Sequence, residues 1–334
     1  MSLADRPAGP ARPASSAGSA GSAGSAGDRT WLIAVAASLW GLSSLLREPL
    51  SKELPALTVV LVEHVVLVLM VSPWVVPAVR ALLGCSLRTK LGVLVIGAGS
   101  SALATTLFTA AFRIGDPVTP QVLQKLQPVI AIVLAAVLLR ERLTPRFAVF
   151  AVPAVVGAWL LAFADPLGVD VQSLKAAGLA VGAAALWAAG TVLGRLVSAE
   201  LAFLHVTTLR FTVGVVTLAS FAFVTQTPVD VPLALVPRLV LLALVPGLIA
   251  LVLYYFALQQ TPASRATLAE LAFPVSAAAV GVLWLGARLD GSQWFGFAVV
   301  LVSVVLLALH ERRSTHPAVP VPDRADEAIG AGRR

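Results

Sequence analysis

The chain is mainly a succession of apolar segments with no polar domain between them. At about 1.5 Å per helical residue, most of them can cross a bilayer core about 30 Å thick. A strand in hydrocarbon would leave its backbone unpaired, and the continuous apolar run at 129–139 lacks the alternation of a transmembrane barrel. We therefore predict helices, with segments at 31–46, 57–79, 91–112, 119–139, 147–164, 176–193, 201–224, 239–258, 266–285 and 294–310.

The composition requires lipid as a second solvent. Hydrophobic residues make up 58% of the chain and charged residues 12%, and a soluble domain carries about twice that charged fraction. We therefore expect a multi-pass protein of the cell membrane, with the lipid bilayer as its main partner. The net charge of +7 lies mostly in short loops and tails, as in membrane proteins, and does not require nucleic acid as a partner.

Both ends are predicted to be disordered, cytoplasmic tails. Residues 1–29 are rich in Ala, Gly, Ser and Pro without the apolar core of a signal peptide, so we expect no cleavage. Residues 312–334 are charged and free of aromatic residues. Lys and Arg are most frequent on the side that holds both tails, which predicts that this side is cytoplasmic. Arg47 and Lys52 fall in a loop on the opposite side.

Two halves of the chain repeat each other. A shift of 146 or 147 residues aligns the following pairs: Leu39-Trp40 with Leu186-Trp187, Ala111 with Ala257, Pro128 with Pro274, and Leu160-Leu161-Ala162 with Leu306-Leu307-Ala308. We predict one five-helix repeat at 30–165 and a second at 174–311. Because five is odd, the second repeat must cross the membrane in the opposite sense. The predicted fold class is an all-α polytopic membrane protein with ten transmembrane helices in two inverted five-helix repeats.

The repeated residues resemble those of the EamA family of the drug/metabolite transporter superfamily. The resemblance covers roughly residues 31 to 310, and its motifs are Ala257-Leu258, Pro262-Ala263-Ser264, Pro274-Val275 and Leu285-Gly286 in the second copy, with Ala111-Phe112, Pro128-Val129 and Leu139 to Leu143 in the first. It implies a carrier of small metabolites, often amino acids or related compounds, and often an exporter. Arg210 keeps a basic residue common early in the second helix, which Glu63-His64 replaces in the first copy.

Ionisable residues inside the predicted helices are candidates for the site, because a charge in lipid costs several kcal/mol unless it is paired or wetted. They are Glu63, His64, Lys125, Arg210 and Glu270. Glu63 and Arg210 sit near helix ends and also suit snorkelling or pairing, and His64 also suits a hydrogen-bonded packing role. Lys125 and Glu270 are equally compatible with lining a cavity or with pairing to neighbours.

Two polar stripes predict a cavity between the repeats. Gln121, Gln124, Lys125 and Pro128 share one helical face, and Thr267, Glu270 and Pro274 share the equivalent face of the second copy. Such stripes avoid lipid, so we expect them to bind a solute near mid-membrane. Trp40, Trp187 and Tyr254 are candidate cavity walls, although interfacial anchoring or packing explains them equally well.

The leading hypothesis is a secondary transporter, most simply an exporter, of small polar metabolites. An intramembrane enzyme on lipid-linked substrates and a non-transporting structural or sensory protein are the alternatives. The sequence shows no phosphate-binding loop, no metal-ligand spacing and only one cysteine, Cys85. We therefore expect no cofactor, and a monomer or a homodimer through peripheral helices.

Overall fold

The structure is a computed structural model that describes residues 29–139, 147–258, 261 and 269–314. The two predicted tails lie almost entirely outside these residues, as do Thr267 and the segments Pro262 to Ser264 and Arg140 to Leu143. The described part is helical and contains no strand. This confirms the predicted all-helical class, in agreement with the requirement that backbone groups in lipid be paired within their own segment.

The helices of the first half follow one another with short connections. A π-helix, Ile96–Leu103, joins α4 to α5, and a 3₁₀ turn, Gln124–Leu126, joins α6 to α7. The helices are α1 Thr30–Gly41, α2 Ser44–Glu53, α3 Ala56–Leu83, α4 Leu87–Val95, α5 Ala104–Ile114, α6 Thr119–Leu123, α7 Gln127–Leu139 and α8 Phe147–Ala162.

The second half has a similar order of helices. A 3₁₀ turn, Leu233–Leu235, precedes α11, and a π-helix, Ala243–Ile249, joins α11 to α12. The helices are α9 Val171–Val197, α10 Phe203–Thr225, α11 Val236–Leu242, α12 Ala250–Leu258, α13 Ala272–Leu283 and α14 Gly291–Ser314.

Several of these helical stretches are long and apolar enough to span a membrane. Within the described residues there are six, at Thr30–Glu53, Ala56–Leu83, Leu87–Ile114, Val171–Gly194, Phe203–Thr225 and Leu233–Tyr254. Shorter apolar helices at Phe147–Ala162, Ala272–Leu283 and Gly291–Leu307 accompany them. The chain is thus a multi-pass membrane protein.

The first membrane-spanning stretch is longer than the sequence predicts. The sequence predicts a short segment at about residues 31–46 that can extend into its flanks, with Arg47 in a loop, but α2 continues to Glu53, and both Arg47 and Glu48 are buried within it. A turn at Leu42 and Ser43 joins α1 to α2. In the sequence, these charged residues suggest a loop. They are accommodated in the helix because they have partners inside the protein, as described below.

The two halves pack in a symmetric pattern. The repeat mates α3 and α10 pack against each other, and so do the repeat mates α8 and α14. Helix α1 packs against α12 and α13, while its repeat mate α9 packs against the corresponding α5 and α7. The two π-helices also occupy matching positions, since Ile96 and Ala243 are 147 residues apart. The internal repeat found in the sequence is therefore reproduced in the packing.

Two loops from different halves are joined at one end of the molecule. Glu200, in the α9–α10 loop, accepts hydrogen bonds from the Ser86 backbone N–H at 2.8 Å, the Ser86 hydroxyl at 2.6 Å and the Thr89 hydroxyl at 2.7 Å. The Ser86 and Thr89 donors stabilise the carboxylate and lower the pKa of Glu200 to about 2. The α3–α4 and α9–α10 loops therefore lie together at the same end.

Candidate functional site

A cavity of about 510 Å³ lies between the two halves. Helices of both halves contribute to it, because the symmetric packing brings α1, α2, α5, the α6–α7 turn, α9, α10 and α12 around one space. Eight of the eleven residues predicted for the site line this central cavity: Trp40, Glu63, Gln124, Lys125, Trp187, Arg210, Tyr254 and Glu270.

Aromatic pairs form two matching walls. The rings of Trp40 and Tyr254 lie 5.2 Å apart between centroids, and the rings of Trp187 and Phe108 also lie 5.2 Å apart. Trp40 corresponds to Trp187 in the repeat, and Phe108 corresponds to Tyr254. The Trp40 indole N–H donates to the carbonyl of Pro246 in the second π-helix at 2.9 Å, which fixes that ring. Each wall therefore combines a helix of one repeat with a helix of the other.

Lys125 and Glu270 face the same space from different halves. The Tyr254 hydroxyl donates to Glu270 Oε1 at 2.5 Å. The Lys125 ammonium lies 4.3 Å from the centroid of the Phe273 ring, within the range of a cation–π contact. A cation and a carboxylate thus line the cavity together, each held by an aromatic neighbour.

The 3₁₀ turn explains how neighbouring polar residues reach the cavity together. Pro128 has no N–H to donate to the carbonyl of Gln124, and the Gln127 N–H bonds to that carbonyl instead. The tighter winding places Gln124, Lys125 and Gln127 around the cavity. Gln121, which the sequence places on the same face, is fully buried and donates to the Gly41 carbonyl at 3.2 Å.

A buried ion pair lies beside the cavity. Arg47 Nη2 is 2.9 and 3.0 Å from the two carboxylate oxygens of Glu63, and Nη1 donates to the Thr109 hydroxyl at 2.7 Å. Both charged side chains are only 7% exposed, and both line the cavity. The sequence predicts Glu63 but misses Arg47, although Trp40, Ser43 and Arg47 follow i, i+3, i+7 spacing on one helical face.

His64 is hydrogen-bonded and buried among helices. Its Nδ1 is 2.9 Å from the carbonyl of Val60, which makes Nδ1 the donor, and Nε2 is 2.9 Å from the Ser101 hydroxyl in the first π-helix. Its ring also packs edge-on against Phe211. The structure therefore places His64, like Gln121, in packing positions behind the cavity lining, while Thr267 lies outside the described residues.

Two further spaces adjoin the central cavity. An outer chamber of about 560 Å³ shares Trp187, Thr191 and Arg210 with it and extends to Ser198 and Phe203 at the α9–α10 end. A side pocket of about 270 Å³ shares Gln124, Lys125, Gln127 and Glu270 and extends past Pro128 and Pro274 to the apolar side chains of α14. The central cavity thus continues toward the end of the molecule where Glu200 joins the two loops.

The family of the chain follows from comparison with known proteins. The model of the EamA-like transporter family matches residues 30–163 and again residues 174–309. The riboflavin transporter ImpX of Fusobacterium nucleatum is 30% identical over 291 residues, which are 83% of this chain and 96% of that protein. The uncharacterized transporter YwfM of Bacillus subtilis is 29% identical over 212 residues, covering 62% of this chain and 69% of that protein.

The fold is also found among solved structures. One crystal structure superposes with a TM-score of 0.57 at 18% sequence identity, and the match covers 86% of this chain and 99% of that one. This likeness concerns the fold alone. With two family matches that correspond to the two halves and a relative aligned over nearly its whole length, the chain belongs to the EamA-like transporter family.

Proposed function

We propose that the protein is a secondary transporter that carries a small, polar, ring-containing metabolite through the central cavity by alternating access. The observation that supports this most strongly is the pair of repeat-related aromatic walls, Trp40–Tyr254 and Trp187–Phe108, on either side of amide and charged groups. Aromatic walls combined with convergent polar groups are typical of small-molecule binding sites. In transporters built from repeats, the solute binds at the repeat interface.

The architecture proposed for this function is ten membrane crossings in two inverted repeats, with both termini in the cytoplasm. Rocking of one repeat against the other then opens the cavity to each side in turn. On this orientation, the outer chamber lies toward the cytoplasmic end of the molecule.

The first candidate solute is riboflavin. The relative ImpX is named a riboflavin transporter. A flat heteroaromatic ring can stack on the indole rings of Trp40 and Trp187 and on the phenol ring of Tyr254, which belong to the two aromatic walls. The cavity also offers the amides of Gln124 and Gln127 for the hydroxyl and carbonyl groups of such a solute.

The second candidate is an aromatic amino acid, exported from the cell. Lys125 and Glu270 favour it, because a cation and a carboxylate in one cavity can bind the carboxylate and ammonium groups of a zwitterion. The aromatic walls would then hold its side chain.

Ligand binding to the purified protein tests the solute class. A ligand that binds only the folded protein raises its melting temperature. We expect riboflavin to do so and its fluorescence to be quenched on binding, and we expect Trp187→Ala to weaken both effects. Trp159→Ala is the matched control, because Trp159 bonds to the Pro166 carbonyl at 3.1 Å and does not line the central cavity. If L-tryptophan stabilises the protein and riboflavin does not, the second candidate replaces the first. If neither does, both are wrong.

A further inference from the structure

The outer chamber differs from the central cavity in the charge of its walls. The central cavity is lined by both acidic and basic residues, including Glu63, Glu270 and Lys125. Among the described residues that line the outer chamber, the one ionisable side chain is Arg210. The hydroxyl residues Thr191, Ser198 and Thr207 make up much of its remaining polar lining.

Arg210 lies where the two spaces meet. It projects from α10, lines both the central cavity and the outer chamber, and corresponds in the repeat to Glu63. The first repeat thus presents a carboxylate at this position, whereas the second presents a guanidinium. The two repeats are therefore alike in their aromatic walls but opposite in charge at this position.

Trp187 connects the proposed ring site to this cation. Its side chain lines both spaces, and Gln124, Gln127 and Thr191 do so as well. A ring stacked on Trp187 would therefore have one edge facing the outer chamber. A substituent on that edge would meet Arg210 and hydroxyl groups, while Glu270 lies on the side of the central cavity and the side pocket.

The surface beyond the chamber is also basic. Arg80 and Arg88 are exposed, and Lys90 is partly so, on either side of the α3–α4 loop. Glu200, itself an exposed carboxylate, binds this loop to the α9–α10 loop, of which Ser198 lines the chamber. Charges of one sign around an entrance raise the local concentration of oppositely charged solutes.

From these observations we propose that the outer chamber is a subsite for an anionic oxygen group, carboxylate or phosphate, carried by the solute, and that Arg210 binds it. A guanidinium suits both groups, because its planar N–H fork matches two of their oxygens. The role of this group in transport rests on the proposed function. The preference of the chamber for anions does not rest on the proposed function. This preference and the role in transport are therefore tested separately.

Cysteine reactivity measures the preference without any knowledge of the solute. Cys85 is the one cysteine of the chain, so Cys85→Ser gives a background into which Thr191→Cys places a single thiol in the chamber. The rates of its modification by an anionic and a cationic methanethiosulfonate reagent are compared, each divided by the rate with a free thiol. We expect the anionic reagent to be favoured, and Arg210→Gln to lower that ratio about fivefold, as removal of one nearby charge in a medium of intermediate dielectric implies. Arg210→Lys keeps the charge and should keep most of the ratio.

Thr225→Cys, at the exposed opposite end of α10, is the matched position at which Arg210→Gln should change nothing. If Arg210→Gln does not fold, the two cysteine positions still test the subsite. The ratio of the anionic to the cationic reagent rate must be higher at Thr191→Cys than at Thr225→Cys. A ratio at Thr191→Cys that equals the one at Thr225→Cys, or that is unchanged by Arg210→Gln, overturns the subsite.

Protection of Thr191→Cys by paired ligands tests the role of the anion. Flavin mononucleotide is compared with riboflavin for phosphate, and indole-3-acetate with indole for carboxylate. We expect the anionic member of at least one pair to protect at about tenfold lower concentration, and Arg210→Gln to abolish that advantage, since a hydrogen bond to a charged group strengthens binding by about this factor or more. Equal protection within both pairs shows that the solute carries no anion to Arg210, even if riboflavin itself binds and the proposed function stands.

Discussion

At the scale of single residues, the cavity depends on charges that are partnered inside the membrane. Arg47, Glu63 and Thr109 form one buried network, and Tyr254 and Glu270 form another. A buried ion pair adds little net stability, since desolvation offsets the attraction, but removal of one partner leaves an uncompensated charge. The two networks therefore respond differently to substitution, because Arg47 and Glu63 are mutual counter-ions while Glu270 is bonded to a neutral hydroxyl.

Glu63→Gln should destabilise the protein. The change leaves the Arg47 guanidinium buried beside a neutral amide, and loss of one partner of a buried pair costs about 3 kcal/mol or more. A lower melting temperature in detergent is the expected result. Glu63→Gln combined with Arg47→Met removes both charges and should recover part of the loss. If the double variant is less stable than the single one, the pair does not act as described.

Glu270→Gln should change transport more than stability. Glutamine keeps the size of the side chain and can accept from Tyr254, but it removes the charge that faces Lys125 and the solute. We expect near-normal abundance and melting temperature, with flux per folded molecule reduced about tenfold, since hydrogen bonds to charged groups contribute about 1.5–3 kcal/mol.

Lys125→Met should likewise reduce the flux of a solute that carries an anionic group, with near-normal abundance and melting temperature. The contrary result for both variants is loss of melting temperature and membrane abundance at unchanged flux per folded molecule. That result would assign Lys125 and Glu270 to helix packing alone.

At the scale of the elements, breaks in helices decide what faces the cavity. The 3₁₀ turn at Gln124–Leu126 and the π-helices Ile96–Leu103 and Ala243–Ile249 rotate the helical face, and all three contribute residues to the cavity or the outer chamber. π-Helical turns are frequent at functional sites because they redirect side chains and backbone groups. Here the second of them provides the carbonyl that fixes Trp40.

The bond between the two loops should depend on pH. Hydrogen bonds from Ser86 and Thr89 lower the pKa of Glu200 from its ordinary 4.5 to about 2 in the folded protein. A depressed carboxyl pKa contributes stability that is complete above the unfolded pKa and is lost as the pH falls through the folded one.

Wild type should therefore melt above Glu200→Gln by a constant margin near neutral pH, and the margin should shrink between about pH 4.5 and about pH 2. Melting curves of both proteins across this range check the prediction. A margin that does not change with pH would mean that the carboxylate is not what joins the loops.

These elements also show what can be read from the sequence. Apolar length and the shift of 146 or 147 residues predict the helical class, the repeat and eight of the residues that line the cavity, because apolar runs and repeat position can be read along the chain without knowing which side chains meet. The continuation of α2 past Arg47 is not predictable in this way, since it depends on Glu63 and Thr109 from other helices. The burial of Gln121 likewise depends on the 3₁₀ turn that follows it and on the carbonyl of Gly41.

The place of Phe108 in the cavity could have been predicted from the sequence. It is the repeat mate of Tyr254 under the shift of 146 residues that aligns Ala111 with Ala257 and Pro128 with Pro274, so that shift also identifies the second aromatic wall. Trp40 and Trp187 were predicted with packing and anchoring as alternatives, and the structure places both on the cavity. Repeat position is thus a better guide to the lining than the chemistry of any one side chain.

At the scale of the whole molecule, alternating access between two inverted repeats requires a definite topology. With five crossings in each repeat, both termini lie on one side and the loop near Asp165 lies on the other. Reporters fused to the C-terminus and inserted near Asp165 should give a cytoplasmic and an extracytoplasmic signal respectively, as the distribution of Lys and Arg predicts. A C-terminus outside the cytoplasm would contradict the inverted repeat.

The symmetric packing indicates how the two repeats would move relative to each other. Each repeat's first helix packs on the third and fourth segments of the other, so the cavity lies on the surface along which the repeats would move. A carrier of this kind exchanges solute across the membrane without net energy input, which distinguishes it from both an intramembrane enzyme and a structural protein.

Counterflow in proteoliposomes tests this claim most directly. Vesicles that contain the purified protein are loaded with unlabelled riboflavin, or in parallel with unlabelled L-tryptophan, and diluted into a trace of the same compound in labelled form. The account predicts transient uptake of label above its equilibrium level for at least one compound, with the Cys85→Ser control unchanged and Glu270→Gln reduced. Label that accumulates no faster than in protein-free vesicles for both compounds would contradict it.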